Sequence, residues 1–349
     1  MDRKRLLILL LGPVPIVTGA IALSRWAKPS PPADPNQNHA HVVMFADRSA
    51  AAEQAVAEAE TPAGKPPSDD RHARNAEVDR RLATACQETA ERLARKLGPA
   101  CQVIARAPFV VAGDLAKAEL ERWARQTIEP AARAMARRYF AVAPSQPITV
   151  LLFRDEQSYN HYADQLFGDA QISVYGYYKP NLRTLVMNIG TGGGTLVHEL
   201  THALVDFDFP DAPDWFNEGL ASLHEQCRIR RDESSIDGLE NWRLHGLQET
   251  IRRGKLRSLE ALIHDPEFRG AEVGLNYAQA RYFCLFMQRG ENPRGADVLA
   301  EFYARLRAGQ RDDPHGAAAV RKTFPKQSWA ELDAVFQRWV LALPAPEGK

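Results

Sequence analysis

His198 and His202 stand four residues apart in His198-Glu199-Leu200-Thr201-His202, and Glu218 follows sixteen residues after the second histidine. Residues four apart on a helix share one face, with Cβ atoms roughly 5–6 Å apart. Both imidazoles can then turn a ring nitrogen toward one ion, at the Zn–N distance of about 2.0–2.1 Å. Glu199 sits beside that ion without having to ligate it, where its carboxylate can take a proton from an activated water. The chemistry such a set performs is metal-assisted hydrolysis. Glu218, in Trp215-Phe216-Asn217-Glu218-Gly219-Leu220-Ala221, adds the third donor. Three protein ligands and a water make the open coordination of a catalytic zinc. The competing reading is a pair of core histidines satisfied by hydrogen bonds, and the nearby carboxylate weighs against it.

Apolar residues surround the histidines (Leu196, Val197, Leu200, Ala203, Leu204 and Val205), so their helix is expected to be largely buried. Thr191-Gly192-Gly193-Gly194-Thr195 leads into it as a flexible turn, with Thr191 or Thr195 as N-cap. The GK[ST] half of a phosphate-binding loop is missing. Upstream, Glu77 to Leu97 has helical spacing that Gly98-Pro99 stops, and Val103-Ile104 and Phe109-Val110-Val111 read as strands. Asp114 is placed to cap one long helix running from Leu115 to Phe140. Ile148 to Phe153 reads as a buried strand, Asp155 as the cap of a helix reaching Phe167, and Arg183 to Ile189 as a further strand. That last strand would lay a sheet edge beside the metal, where an extended peptide can add itself as another strand. Tyr175, Gly176, Tyr177 and Tyr178 would line the cleft or pack beneath it. Beyond the site, Trp242–Ile251, Leu256–Ile263, Asn276–Gln288, Val298–Leu306, Ala317–Phe324 and Trp329–Leu341 show apolar spacing near 3.6. They predict a helical lobe that closes one wall of the cleft.

Lys and Arg total 44, as do Asp and Glu, and no long basic block appears past the N-terminus, so nucleic acid is excluded as a partner. Met1-Asp2-Arg3-Lys4-Arg5 is basic, and Leu6 to Leu23 is eighteen residues without a charge. Residues 1–28 therefore read as a signal peptide or membrane anchor, which places the rest outside the cytoplasm, in the periplasm or cell envelope. Two Pro-rich stretches, Pro29–Pro35 and Thr61–Ser68, mark residues 29–75 as a disordered linker. Cys86, Cys101, Cys227 and Cys284 allow three pairings or remain buried free thiols, and none has the spacing of a cysteine zinc site.

His198-Glu199-Leu200-Thr201-His202-Ala203 with Asp206 resembles the metal helix of thermolysin-like enzymes, and Trp215 to Ala221 resembles the third-ligand helix of the gluzincin aminopeptidases. The combination is similar to the peptidase-MA-like gluzincin metallopeptidases, over roughly residues 105–343. The resemblance implies His198, His202 and Glu218 as ligands of one zinc and Glu199 as general base in hydrolysis of a peptide or protein substrate. It implies Asn217 as the group that fixes a ligand histidine, with Asp206 a weaker alternative. It further implies a donor for the developing oxyanion, assigned to Tyr277 and next to Tyr282, in Asn276-Tyr277-Ala278-Gln279-Ala280-Arg281-Tyr282. The aminopeptidase motif Gly-x-Met-Glu-Asn is absent, so nothing supports recognition of a substrate amino terminus.

The expected fold is α+β: a zincin-like metallopeptidase domain over residues 76–343, with a small mixed sheet, an HExxH helix and a helical C-terminal lobe. Residues 76–190 would form its N-terminal α/β part and 191–343 the metal helix and lobe. A catalytically silent binding or structural protein of the envelope is the rival reading.

Overall fold

An apolar run with no polar face has to be covered on both sides, and Ile148–Phe153 is such a run, with every residue buried. The computed structural model of the chain describes residues 44–46, 69–169 and 172–344. In chain order these form β1 (Met44–Ala46), α1 (Asp69–Leu97), β2 (Gln102–Arg106), β3 (Phe109–Gly113), α2 (Lys117–Trp123), α3 (Glu129–Arg138), β4 (Ile148–Phe153) and α4 (Glu156–Phe167). Then follow β5 (Gly176–Lys179), β6 (Thr184–Asn188), α5 (Gly193–Asp208), α6 (Asp214–His224), β7 (Cys227–Arg230), β8 (Ile236–Gly238) and α7 (Arg243–Arg252). The chain closes with α8 (Leu259–Ile263), α9 (Val273–Arg289), α10 (Leu299–Gly309), α11 (Ala317–Thr323) and α12 (Trp329–Ala342). The protein is mixed α+β, as expected.

The main sheet has the order β2-β3-β4-β6-β5, with β3, β4 and β6 parallel and the two edge strands antiparallel to them. Alternate residues of β4 serve the two faces. Ile148, Val150 and Leu152 join a core shared with α2, α3 and α5, while Leu151 and Phe153 pack with Tyr159, Tyr162 and Ala163 of α4. The C-terminal lobe is built around α9, whose residues from Asn276 to Gln288 are all buried.

Several local expectations change. Asp114 does not cap α2: its carboxylate accepts from the backbone and side chain of Arg154, at 2.9 and 2.7 Å. The long helix is interrupted by a π-helical turn over Ala124–Ile128, just ahead of Pro130, which has no N–H to continue the ladder. Asp155 caps α4 as expected, accepting from Ser158 N at 2.9 Å. The strand before the metal helix, β6, is not the sheet edge; β5, formed by Gly176-Tyr177-Tyr178-Lys179, covers it and takes that position. The region beyond the site is not wholly helical either, because β7 and β8 form a hairpin to which β1 adds in parallel.

The 29–75 linker thus contributes Met44–Ala46 to a strand, and α1 starts at Asp69 rather than near Glu77. The N-terminal segment of residues 1–28 lies outside the described residues, and among those described no helix is long and apolar enough to cross a membrane. All four cysteines are free and buried, with burial pushing the Cys86 thiol up to about 11 and Cys227 up to about 12.

Candidate metal centre

The metal helix begins at Gly193, and neither threonine caps it. Gly192 occupies the N-cap at φ 104°, a conformation that favours glycine. The Thr191 hydroxyl instead donates to Asn188 O at 2.8 Å. Within α5, Leu196, Val197, Leu200 and Ala203 are fully buried, which fixes the helix's roll beneath the sheet and turns His198 and His202 toward α6. Helix α6 in turn lies tightly on α9. A Cβ added at Gly219 would meet Ala280 O at 2.9 Å and Cys284 Sγ at 3.1 Å, so a residue without one is required beside Glu218.

Those two packings bring three side-chain atoms together. His198 Nε2 and His202 Nε2 are 3.1 Å apart, and Glu218 Oε2 lies 3.4 and 3.5 Å from them. The outer nitrogens of the rings face acceptors. His202 Nδ1 is 3.0 Å from Asn217 Oδ1, and His198 Nδ1 is 3.2 Å from Glu225 Oε1. The Asn217 acceptor places the His202 ring proton on Nδ1 and turns that ring's Nε2 lone pair inward. Glu218 Oε2 is buried with no hydrogen-bond partner. Two imidazole nitrogens and a carboxylate oxygen therefore converge on one point, an arrangement that a cation satisfies. Bonds of about 2.0–2.1 Å in a tetrahedron imply ligand–ligand edges of roughly 3.3–3.4 Å, close to the observed triangle. The buried triad of His198, His202 and Glu218 can hold a metal ion.

The surrounding charges follow from the same geometry. Burial disfavours the charged form of Glu218, but His202, His198 and Arg269 outweigh it and hold the carboxyl well below the usual range. Burial likewise works against protonation of His198, yet Glu218 and Glu225 lift it to about 10 in the metal-free protein. Burial raises the Glu199 carboxyl, with His198 and His202 opposing and Glu218 reinforcing the shift. Glu199 thus feels all three members of the triad. Tyr277 is 8% exposed, and burial followed by the Glu218 and Glu199 carboxylates pushes its phenol far up. It stands in the same electrostatic neighbourhood.

Other expected residues do different work. Tyr282 is fully buried, its hydroxyl accepting from Asn241 N at 3.0 Å and donating to Asn241 O at 3.3 Å. Asp206 does not orient a histidine; it accepts from Tyr178 Oη at 3.0 Å and so ties the metal helix to the edge strand β5.

Glu225, Arg243 and Arg269 complete the site and escaped the sequence reading. Arg243 binds the Glu225 carboxylate at 2.9 and 3.3 Å, and its guanidinium lies over Trp242 and Tyr277 at 4.2 and 5.6 Å. Glu225 follows Glu218 by seven residues, two helical turns, a spacing that signals the shared face. Arg269, from the loop between α8 and α9, reaches Glu218 Oε1 at 2.8 Å; no spacing announces it. No protein-family model matches the chain, and no curated protein matches it.

Proposed function

We propose that the protein is a zinc-dependent metallopeptidase of the gluzincin type, with a zincin-like fold, hydrolysing peptide bonds outside the cytoplasm. The observation that carries the reading is the convergence of His198 Nε2, His202 Nε2 and Glu218 Oε2, with Glu199 one residue from the first histidine on α5. A histidine–histidine–carboxylate set with no further protein donor among the described residues suits zinc, which in such sites polarises a carbonyl and lowers the pKa of a water to about 7.

The chain's own residues supply the rest. Glu199, its carboxyl raised by burial, accepts the proton of the attacking water as the C–O bond forms. It passes that proton to the amine nitrogen as the C–N bond breaks. Tyr277, its phenol held protonated, donates to the carbonyl oxygen as negative charge gathers there. Asn217 keeps the His202 imidazole in the tautomer that points Nε2 inward, and the Glu225 carboxylate lies 3.2 Å from His198 Nδ1. Among the described residues edge strand β5 pairs only with β6, which leaves its other side for an extended substrate backbone. Residues 1–28 would hold the enzyme at, or export it across, a membrane.

Elemental analysis tests the reading directly. Purified protein should carry one zinc per chain, and His198→Ala/His202→Ala should carry none. Wild type should cleave an unstructured protein substrate, while Glu199→Gln keeps its zinc and does not. A wild-type protein that binds zinc yet cleaves nothing, and binds peptides as well as Glu199→Gln does, would establish the silent binding protein instead.

A further inference from the structure

The two oxygens of Glu218 live in different surroundings. Oε2 faces the histidines without a hydrogen-bond partner, whereas Oε1 is ion-paired with Arg269 Nη1 at 2.8 Å. The other arm of the same guanidinium, Nη2, binds Asp214 Oδ1 at 2.9 Å. Asp214 precedes Glu218 by four residues, so both carboxylates share one face of α6 and a single planar fork spans them. The residue before Arg269 fixes the loop that presents it. Phe268 is 2% exposed and stacks on Tyr277 with ring centroids 5.7 Å apart.

A carboxylate with both oxygens free can clasp a cation through either or through both. We propose that Arg269 is a positioning residue that makes Glu218 a one-oxygen ligand, occupying Oε1 so that Oε2 alone is offered to the ion. This rests on the metal-centre reading above and deepens it. With Glu218 bound through one atom, the protein contributes three donors and a fourth position stays available to water, the condition that separates a catalytic zinc site from a closed structural one. A two-oxygen Glu218 would take up that position. The guanidinium is suited to the role because its donors are rigidly arranged and always charged. Its side chain is 36% exposed while that of Glu218 is 2% exposed, so Arg269 also separates the ligand carboxylate from solvent.

Cobalt substitution of the full chain reads the coordination number without reference to turnover. Wild type loaded with one Co2+ should show the intense visible bands of a four-coordinate ion. Arg269→Ala, at the same stoichiometry, should lose that intensity and give the weaker bands of a higher-coordinate ion as Oε1 moves onto the metal. Arg269→Lys, which keeps a charged donor but not the fork, should recover part of the lost intensity. Asp214→Ala, which frees the other end of the guanidinium, should shift the spectrum the same way by less, and serves if Arg269→Ala does not fold. Wild-type spectra in both Arg269→Ala and Asp214→Ala, or in Asp214→Ala and Arg269→Lys where Arg269→Ala is unfolded, overturn the inference and leave the metal centre standing. A wild-type protein that takes up no cobalt and no zinc sinks both.

Discussion

Asp208 and Glu218 are both buried carboxylates at the join between the metal helix and the C-terminal lobe, and their surroundings could hardly differ more. Asp208 Oδ1 accepts from the backbone of Ala141 and Val142 at 2.8 and 2.7 Å and from Arg307, while Oδ2 accepts from Tyr303 Oη at 2.8 Å. Both oxygens accept hydrogen bonds, and the result is a clamp that fixes the end of α5. Glu218 has one oxygen committed to Arg269 and the other aimed at two imidazole nitrogens 3.4 and 3.5 Å away, without a hydrogen bond. A buried acceptor left unmatched costs free energy, so the fold retains Glu218 Oε2 at an expense that Asp208 does not incur. Saturation marks a carboxylate that serves architecture, and an unmatched lone pair marks one that awaits a ligand.

Mutations at the two places should separate those roles. The largest effect is expected at the site: Glu199→Gln should lower peptide hydrolysis by about 10²–10⁴-fold, with zinc content and melting temperature unchanged. Next, Asp208→Ala should destabilise the protein by about 3 kcal/mol, because Arg307, Tyr303 and two backbone N–H groups lose their acceptor together. Denaturant titration measures that loss. The isosteric Glu218→Gln should do the reverse, abolishing zinc binding while the metal-free stability moves by less than about 1 kcal/mol. If Glu218→Gln proves as destabilising as Asp208→Ala, the two carboxylates serve the same architectural role.

Smaller effects probe what brings the site together. Gly219→Ala forces a Cβ within 2.9 Å of Ala280 O, and should cost about 2 kcal/mol and weaken zinc binding by parting α6 from α9. His224 is a useful counterpart to the ligand histidines, being fully buried on the same helix as Glu218 but hydrogen-bonded on one side. Thr201 gives its hydroxyl proton to Val197 O at 2.8 Å, so His224 Nδ1 donates to Thr201 Oγ1 at 3.1 Å. Burial depresses the His224 pKa to about 3. The unfolded chain then binds a proton below about 6.5 that the native state refuses, so this group's contribution to stability is intact at pH 7 and falls as pH drops. Between pH 7 and 5 the wild type should lose roughly 1–2 kcal/mol more than His224→Gln, a difference that paired thermal melts would reveal.

How much of this was legible depended on whether the determinant lies along the chain or across it. His198, Glu199 and His202 announce themselves because helix geometry alone puts them on one face, and Asn217 is readable as the neighbour of Glu218. Strand β4 and the six C-terminal helices follow from sustained apolar patterns, and their bounds agree within a few residues. The missed strands are short. Cys227–Arg230 does alternate buried and exposed residues, but over four positions that pattern carries little weight against the helical segments around it. Strand β5 escaped because Gly176-Tyr177-Tyr178-Lys179 has no clear alternation and exists by pairing with β6. Arg269 lies 51 residues beyond Glu218 and meets it only because α9 carries its preceding loop across α6. Asp114 was misassigned for the same reason: its partner, Arg154, is 40 residues away.

The triad straddles a seam. Its histidines ride on a helix packed against β5 and β6, whereas Glu218 rides on one packed against α9 of the helical lobe. An ion held by all three would act as a rivet between the sheet half and the lobe. Its binding energy would then count toward global stability as RT ln(1 + [L]/Kd), about 2.7 kcal/mol at a hundredfold excess over Kd. Chelation would release that coupling, so metal supply would govern how firmly the sheet half and the lobe stay together.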